Sequence, residues 1–252
     1  MDDVMGVSKC GIRALELNTF ITSQIEMKRL NFNVGNSTKK SKCKNLHVGK
    51  LITDCCKLEA RDRPLEQVSE VDYLGDIITS DAKNNKNVKN RVSKGMGIIA
   101  DIFNILETIC FGPNYFEIAL LLREALLING TIYNSAVWYN LTSKDIRDIE
   151  QIDKIFFSRL FSTPKTTPFE AYFLECGVMN IGMYIKCRRV IYFHNLIIRP
   201  RSQIIYSFLM SQYSNPVKGD WVIQVTKDFT DLNISQDFEF LKIFPLQLSR
   251  TL

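Results

Sequence analysis

The stretch LTSKDIRDIEQIDKIFFSRLF, residues 141–161, predicts a helix more clearly than any other part of the chain. Thr142 is a suitable N-cap, and Asp145 stands three residues later, which is a variant of the capping box. Pro164 and Pro168 follow the stretch and end the helix. Apolar residues repeat between these ends at positions that share one helical face: Ile146, Ile149, Ile152, Phe156 and Leu160.

Helical patterns extend on both sides of this stretch. Another helix is predicted to begin near Pro113 and to run to about Trp138, and a further one covers residues 180–200. Residues 86–108 form the upstream pattern, with apolar residues at three- and four-residue steps: Val88, Val92, Met96, Ile99, Phe103 and Leu106. The second half of the chain is therefore predicted to be helical.

The first part of the chain has a mixed pattern. We expect a helix over residues 7–30, a short strand at NLHVG (45–49), and a hairpin at VDYLGDIIT (71–79) that bends at Gly75. The predicted fold class is α+β and predominantly α-helical. We divide the chain into a mixed region, a helical region and an irregular helical tail: 1–82, 83–213 and 214–252.

The composition limits the class of protein. The chain has 252 residues, of which 46% are hydrophobic and 23% charged, as expected for a globular protein with a core. Its net charge of +5 is compatible with a polyanionic partner. The seven cysteines show no metal-binding spacing, which favours reduced thiols. Without a secretory signal or a membrane-length apolar run, we expect an intracellular protein, nuclear or cytoplasmic, that does not bind membranes.

Two adjacent carboxylates, Asp2 and Asp3, stand at the start of the sequence. On a tight β-turn, such a pair can hold two Mg²⁺ ions, which activate the attacking oxygen in phosphoryl transfer and stabilise the leaving group. The dipeptide by itself is better explained as an acidic N-terminus that binds no metal, because Asp-Asp is common.

The surroundings of this pair resemble a known family. MDDVMGVSKCG (1–11) resembles the x-D-D motif of reverse transcriptases, and in particular of the LINE-type (non-LTR) retrotransposon polymerases. In the same order as in that family, 42–50 is similar to motif D and 71–79 to the primer-grip motif E. Residues 87–102 look like the first thumb helix, and 141–161 resemble a later helix. The resemblance covers about residues 1–200 and implies the end of a polymerase palm, a helical thumb and a helical extension.

The resemblance implies roles for individual residues. Asp2 matches the ligand of the catalytic Mg²⁺ ions, and Asp3 matches its supporting neighbour. Lys42 is our choice for the motif D lysine that assists the leaving pyrophosphate, with Lys39 and Lys40 as rivals. The hairpin residues match the primer-grip turn, although the same side chains also suit ordinary hairpin packing: Tyr73, Leu74 and Gly75.

Basic residues form two groups along the helical region. Lys86, Lys89, Arg91 and Lys94 follow Lys83 in the loop and first thumb-like helix, with no acid among them. They are candidates to bind an RNA template, a DNA primer or an RNA–DNA hybrid, and an ordinary solvated face is the alternative. A second group flanks the helix at 180–200 and suits an ordinary solvated face slightly better: Lys186, Arg188, Arg189, Arg199 and Arg201.

Parts of the polymerase pattern have no counterpart in the sequence. The motif A carboxylate and the fingers precede the x-D-D motif in that family, and no residues here match them. We therefore expect a C-terminal fragment of an RNA-directed DNA polymerase that does not polymerise by itself. The alternatives are a non-catalytic helical domain that binds nucleic acid, and a helical scaffold without such a role. The sequence leaves the oligomeric state and the preferred template open.

Overall fold

The computed structural model describes residues 44–46, 59–60, 63–109, 112, 114–164 and 166–235. The chain divides into two compact units between Lys86 and Asn87. Helices contain most of the described residues, and the strands form short two-stranded sheets, so the predominantly helical α+β class is confirmed. The helix expected at 7–30 lies outside the described residues. No helix in the described ranges is both long and apolar enough to cross a membrane.

The described residues of the first unit form three strand pairs. β1 (Lys44–Leu46) runs parallel to β4 (Glu66–Val68), and β2 (Glu59–Ala60) is antiparallel to β3 (Arg63–Pro64). β5 (Glu70–Tyr73) and β6 (Asp76–Thr79) form the hairpin that the sequence predicts, with Tyr73 opposite Asp76.

The turn of this hairpin consists of Leu74 and Gly75. Both residues have positive φ, 49° for Leu74 and 83° for Gly75. Positive φ at both central residues is the mark of a type I′ turn, whose backbone twist matches that of the flanking strands. Gly75 adopts this conformation freely, whereas at Leu74 it costs about 1–2 kcal/mol. The bend predicted at Gly75 is confirmed.

The helices run in sequence through the second unit. The bounds are α1 Asn85–Ile109, α2 Tyr115–Leu122, α3 Asn129–Thr131, α4 Ser143–Leu160, α5 Phe169–Cys176, α6 Ile181–Ile197, α7 Ile204–Ser214 and α8 Trp221–Asp231. A π-helical segment, Arg123–Ile128, continues α2 into the short α3, and a 3₁₀ turn, Ser135–Val137, precedes α4.

One boundary differs from the prediction. The helix expected to reach Trp138 ends at Thr131, because the chain leaves helical geometry at Ile132 and turns at Asn134, where φ is 59°. Periodicity missed this break because apolar residues continue beyond it. In the region predicted to be an irregular helical tail, α8 is a regular helix that buries Val222, Val225 and Phe229.

Helix α4 forms as its sequence predicts. The Thr142 hydroxyl accepts a hydrogen bond from the Asp145 N–H at 3.1 Å, and the Asp145 carboxylate accepts one from the Thr142 N–H at 2.9 Å. This complete capping box satisfies two N–H groups that would otherwise lack partners. Ile149, Ile152 and Phe156 are fully buried, which confirms the apolar face.

Helix α1 buries a face slightly different from the predicted one. Met96 is 41% exposed, so its placement on the buried face is wrong. Gly95 takes the buried position instead, because α1 lies against Ile152 of α4 and Thr131 at this point. A residue without a side chain allows that approach, and a hydrophobicity pattern does not register it.

We expect Gly95→Ala to destabilise the protein and Gly97→Ala to stabilise it. A Cβ at Gly95 would lie 2.9 Å from both Ile152 Cδ1 and Thr131 Oγ1. Overpacking of this kind costs about 1–3 kcal/mol. A Cβ at Gly97 meets no atom within 4 Å, so the better helix propensity of alanine adds about 0.5–1 kcal/mol. Equilibrium urea unfolding measures both changes, and effects of the same sign would contradict the close approach.

Among the described residues of the second unit, the core consists of three apolar clusters. One joins α1, α2, α4 and α5 around Phe103, Phe156 and Phe157. Another packs α6 against α7 and α8 through residues that include Phe193 and Phe229. The third surrounds Trp138, which lies in the connection before α4. Together these clusters fix the helices that carry the basic residues.

Candidate nucleic-acid interface

The predicted catalytic residues lie outside the described part of the chain. This applies to Asp2, Asp3 and Lys42, and also to the rivals Lys39 and Lys40. Within the described residues, no group of three or more His, Cys, Asp or Glu side chains is arranged to hold a metal ion. The Mg²⁺ site that the resemblance implies therefore stays a prediction.

The primer-grip residues occupy the tip of the β5–β6 hairpin. Tyr73 ends β5 with a half-buried side chain, and Leu74 is 55% exposed. Gly75 completes the two-residue turn. The turn therefore presents an apolar side chain and a tightly bent backbone at the surface of the first unit. This arrangement can contact a ligand through apolar surface and through main-chain groups.

Two of the basic residues before and at the start of α1 are paired with acids. The Lys83 ammonium lies 3.3 Å from the Asp81 carboxylate, and Lys86 forms an ion pair with Glu70. A hydrogen bond from the Thr79 hydroxyl and others from Lys83 hold the pKa of Asp81 below its usual value. These lysines are exposed, but their charges are partly balanced within the first unit.

Arg91 is buried rather than presented to solvent. Its side chain is on the inner side of α1, where only 3% of the residue is exposed. The guanidinium carbon lies 5.2 Å from the centre of the Tyr133 ring, a cation–π distance. A guanidinium in this position stabilises the packing of α1 and does not present its charge to a phosphate. We therefore leave Arg91 out of the interface.

The remaining two lysines of the first basic group form an exposed surface on α1. Lys89 and Lys94 are exposed, and neither makes an ion pair or a side-chain hydrogen bond within the described residues. Two of the exposed positions near them are small, namely Ser93 and Gly97, whereas the exposed Met96 lies two turns beyond Lys89. We call Lys89, Lys94, Ser93 and Gly97 the α1 basic face. The first acid along α1 is Asp101, so the beginning of the helix carries positive charge only.

In the second basic group, three residues are held by other segments of the fold. Lys186 pairs with Asp231 at 2.8 Å, and Arg189 forms a buried bidentate pair with Asp228. Arg188 donates to the Ile132 carbonyl at 3.1 Å and to the Asn129 side chain, and burial lowers the pKa of this guanidinium. These contacts hold α6 to neighbouring segments, so within the described residues only Arg199 and Arg201 of this group have no hydrogen-bond or ion-pair partner.

Sequence reasoning missed a buried ion pair at the centre of the second unit. The Arg123 guanidinium donates to both Asp153 carboxylate oxygens at 2.9 and 2.8 Å, and to the Met179 carbonyl at 2.8 Å. The Ile181 N–H donates to the same carboxylate at 2.8 Å. Both charged side chains are fully buried. The pair therefore connects the π-helical segment, α4 and the start of α6.

Two signals in the sequence point to this pair. Arg123 interrupts a run of apolar residues, and Asp153 stands beside Ile152 on the apolar face of α4. A charge on an otherwise apolar face is seldom buried without a partner. The partner itself could not be identified, because thirty residues separate the two side chains along the chain.

Tyr184 adds a second polar contact to the same segment. Its hydroxyl donates to the Glu124 carboxylate at 2.7 Å. Burial of the ring, together with this hydrogen bond, raises the pKa of Tyr184 to about 12. The hydroxyl therefore stays protonated at neutral pH and keeps its role as a donor that ties α6 to the π-helical segment.

Comparison of the chain with protein-family models, curated proteins and solved structures gives no significant match.

Proposed function

We propose that this chain is a reverse-transcriptase-like protein whose helical unit binds nucleic acid through the α1 basic face. The observation that carries the binding proposal is the pair of exposed lysines, Lys89 and Lys94, which have no acidic partner in the described residues. Every other lysine or arginine that we assigned to nucleic-acid binding is either paired with an acid or buried.

The spacing of the two lysines suits contacts with one strand. Five residues of α-helix advance about 7.5 Å along the axis and turn about 140° around it, so Lys89 and Lys94 lie on either side of Ser93 and Gly97. A strand that lies over Ser93 and Gly97 would have one ammonium group on each side, within reach of its phosphates. Ser93 and Gly97 have small side chains and let a strand approach the helix closely. These contacts would be electrostatic and independent of sequence.

The polymerase part of the proposal rests on the sequence resemblance. By that resemblance, α1 matches the first thumb helix, the Leu74–Gly75 turn matches the primer grip, and Asp2 and Asp3 match the Mg²⁺ ligands. An RNA–DNA hybrid is accordingly the partner that we propose for the α1 basic face. The residues that we propose for nucleotide addition lie outside the described ranges.

We expect the Lys89→Ala/Lys94→Ala variant to bind an RNA–DNA hybrid more weakly than the unchanged chain. Loss of two phosphate contacts should lower the slope of log K against log salt by about 2. Fluorescence anisotropy with a labelled hybrid of about 20 base pairs, between 50 and 200 mM salt, measures the affinity and the slope. The loss should be similar for hybrids of different sequence.

The matched control is Lys144→Ala/Lys218→Ala, which removes the same charge from exposed positions outside α1. An equal loss in this control would show that only net charge matters, and the interface would be refuted. Binding without primer extension would favour a non-catalytic nucleic-acid-binding domain. Absence of binding even at 50 mM salt would favour the remaining alternative, a helical scaffold without a nucleic-acid role.

A further inference from the structure

A hollow of about 330 Å³ lies at the corner between α6 and α7. It is lined by the last residues of α6, the connecting loop and the first turn of α7: Ile197, Ile198, Arg199, Pro200, Arg201 and Tyr206. We call it the α6–α7 hollow. Pockets of a few hundred Å³ are large enough for a small organic ligand. One wall is apolar, and the rest carries two arginines and a tyrosine.

The two arginines of the hollow are available to a ligand. Arg199 and Arg201 are exposed, and neither guanidinium makes a hydrogen bond or ion pair within the ranges that the structure describes. This separates them from Arg188 and Arg189 of α6, which are held by other segments. A guanidinium offers two parallel N–H donors, which fit the oxygens of a phosphate.

Tyr206 also lines the hollow. The residue is only 9% exposed, and its hydroxyl makes no hydrogen bond within the described residues. The hydroxyl is not among the buried polar atoms that lack a partner, so solvent reaches it. An acceptor on a ligand in the hollow can take the place of that water.

The backbone at the start of α7 favours an anion as well. Gln203 is the N-cap, and its side chain does not cap the helix. The N–H groups of Tyr206 and Ser207 donate to the Gln203 carbonyl, whereas those of Ile204 and Ile205 make no such bond within the described residues. A helix start of this kind carries roughly half a positive charge.

The C-terminal end of α6 disfavours an anion, but less strongly than the two guanidinium groups favour one. A helix C-terminus carries roughly half a negative charge, which the start of α7 balances. The two guanidinium groups then add two full positive charges. No aspartate or glutamate occurs between Glu175 and Asp220, so this segment contributes only positive side chains to the hollow. The two guanidinium groups therefore favour a negatively charged ligand there.

We propose that the α6–α7 hollow binds the phosphate of a nucleotide unit, with the attached sugar against the apolar wall. A phosphate alone would leave most of the 330 Å³ unfilled, whereas Ile197, Ile198 and Pro200 offer a surface for the sugar. The phosphate can belong to a nucleic-acid strand, in which case the inference rests on the proposed function, or to a free mononucleotide.

The test uses the full chain and two probes, a labelled single-stranded 12-mer and AMP. We expect Arg199→Ala/Arg201→Ala to weaken about tenfold the binding of whichever probe occupies the hollow. If that probe is the 12-mer, the slope of log K against log salt should also fall by about 2. Tyr206→Phe should weaken binding severalfold because only the hydroxyl is lost. Anisotropy measures the 12-mer, and isothermal titration calorimetry measures AMP.

The outcomes separate this inference from the proposed function. If the double arginine variant loses affinity for the 12-mer alone, the hollow binds a nucleic-acid strand. If it loses affinity for AMP alone, the hollow binds a free nucleotide. The hollow is refuted if neither probe binds, or if the double arginine variant behaves like Lys144→Ala/Lys218→Ala. Hybrid binding that depends on Lys89 and Lys94 but not on Arg199 and Arg201, with AMP unbound, would overturn this inference and leave the proposed function intact.

Discussion

Replacing Asp153 by asparagine is expected to lower the free energy of unfolding by about 3–5 kcal/mol, the cost of breaking a buried ion pair. Asparagine has nearly the same shape, so the packing of α4 is preserved. The Arg123 guanidinium would remain fully buried without a balancing negative charge. One of its nitrogens, Nη1, already lacks a hydrogen-bond partner among the described residues. Urea unfolding followed by circular dichroism measures the loss.

Asp148→Asn is the matched control for this prediction. It makes the same chemical change five residues earlier on the same helix, at a half-buried position. We expect a change within about 0.5 kcal/mol, as for surface substitutions away from special features. A similar loss in both variants would show that the pairing of Asp153 with Arg123 does not matter to stability.

A double replacement tests whether the loss of stability comes from the unbalanced charge or from the changed side chains. Substituting Arg123→Met and Asp153→Leu together removes both charges and keeps apolar volume. Replacing a buried ion pair by packed apolar residues is often neutral or stabilising. We therefore expect the double variant to recover most of the stability that Asp153→Asn loses. If it stays as unstable as the single variant, the hydrogen bonds to Met179 and Ile181 contribute more than the charge balance does.

Replacing Asp228 by asparagine is expected to have the second large effect, centred on α8. Asp228 accepts from Arg189 at 2.5 and 3.0 Å, and both side chains are almost completely buried. The loss should again be about 3–5 kcal/mol if unfolding is global. Because α8 packs on α6 through one apolar cluster, we expect it to detach first. Hydrogen exchange of residues 221–231 measures this directly.

The neighbouring pair on the same two helices is the control. Lys186 and Asp231 are joined at 2.8 Å, but their side chains remain about 30% exposed. A hydrogen bond from Lys186 holds the pKa of Asp231 below its usual value. An ion pair open to solvent contributes about 0–1 kcal/mol. Asp231→Asn should therefore leave exchange in α8 nearly unchanged, and equal effects of the two variants would contradict the role of burial.

Local sequence predicted the helices well where capping and periodicity agreed. The helix α4 formed at the predicted residues, because Thr142 and Asp145 satisfy N–H groups of the first turn by themselves. The hairpin also followed from its turn residues. The prediction for α1 was wrong at Met96, because the close approach at Gly95 depends on where α4 and Thr131 lie.

Local sequence was a poor guide to what the basic residues do. Five basic residues in and after α6 look alike in the sequence, yet three hold segments together and two are exposed without a partner in the part of the chain that the structure describes. On α1, Arg91 stacks on Tyr133 while Lys89 and Lys94 face solvent. Charge is a property of the residue, but its availability depends on which acids and aromatic rings the fold places beside it.

The sequence by itself determined the helical class, the hairpin turn and the start of α4, because short-range hydrogen bonds and side-chain periodicity are encoded within a few residues. It also supplied the resemblance on which the polymerase proposal rests. Only the tertiary structure decided which charges are buried in pairs, since Arg123 and Asp153 come from segments thirty residues apart. Burial makes an unpaired charge costly, so the buried charges are paired, and the exposed cations define the surfaces on α1 and in the α6–α7 hollow.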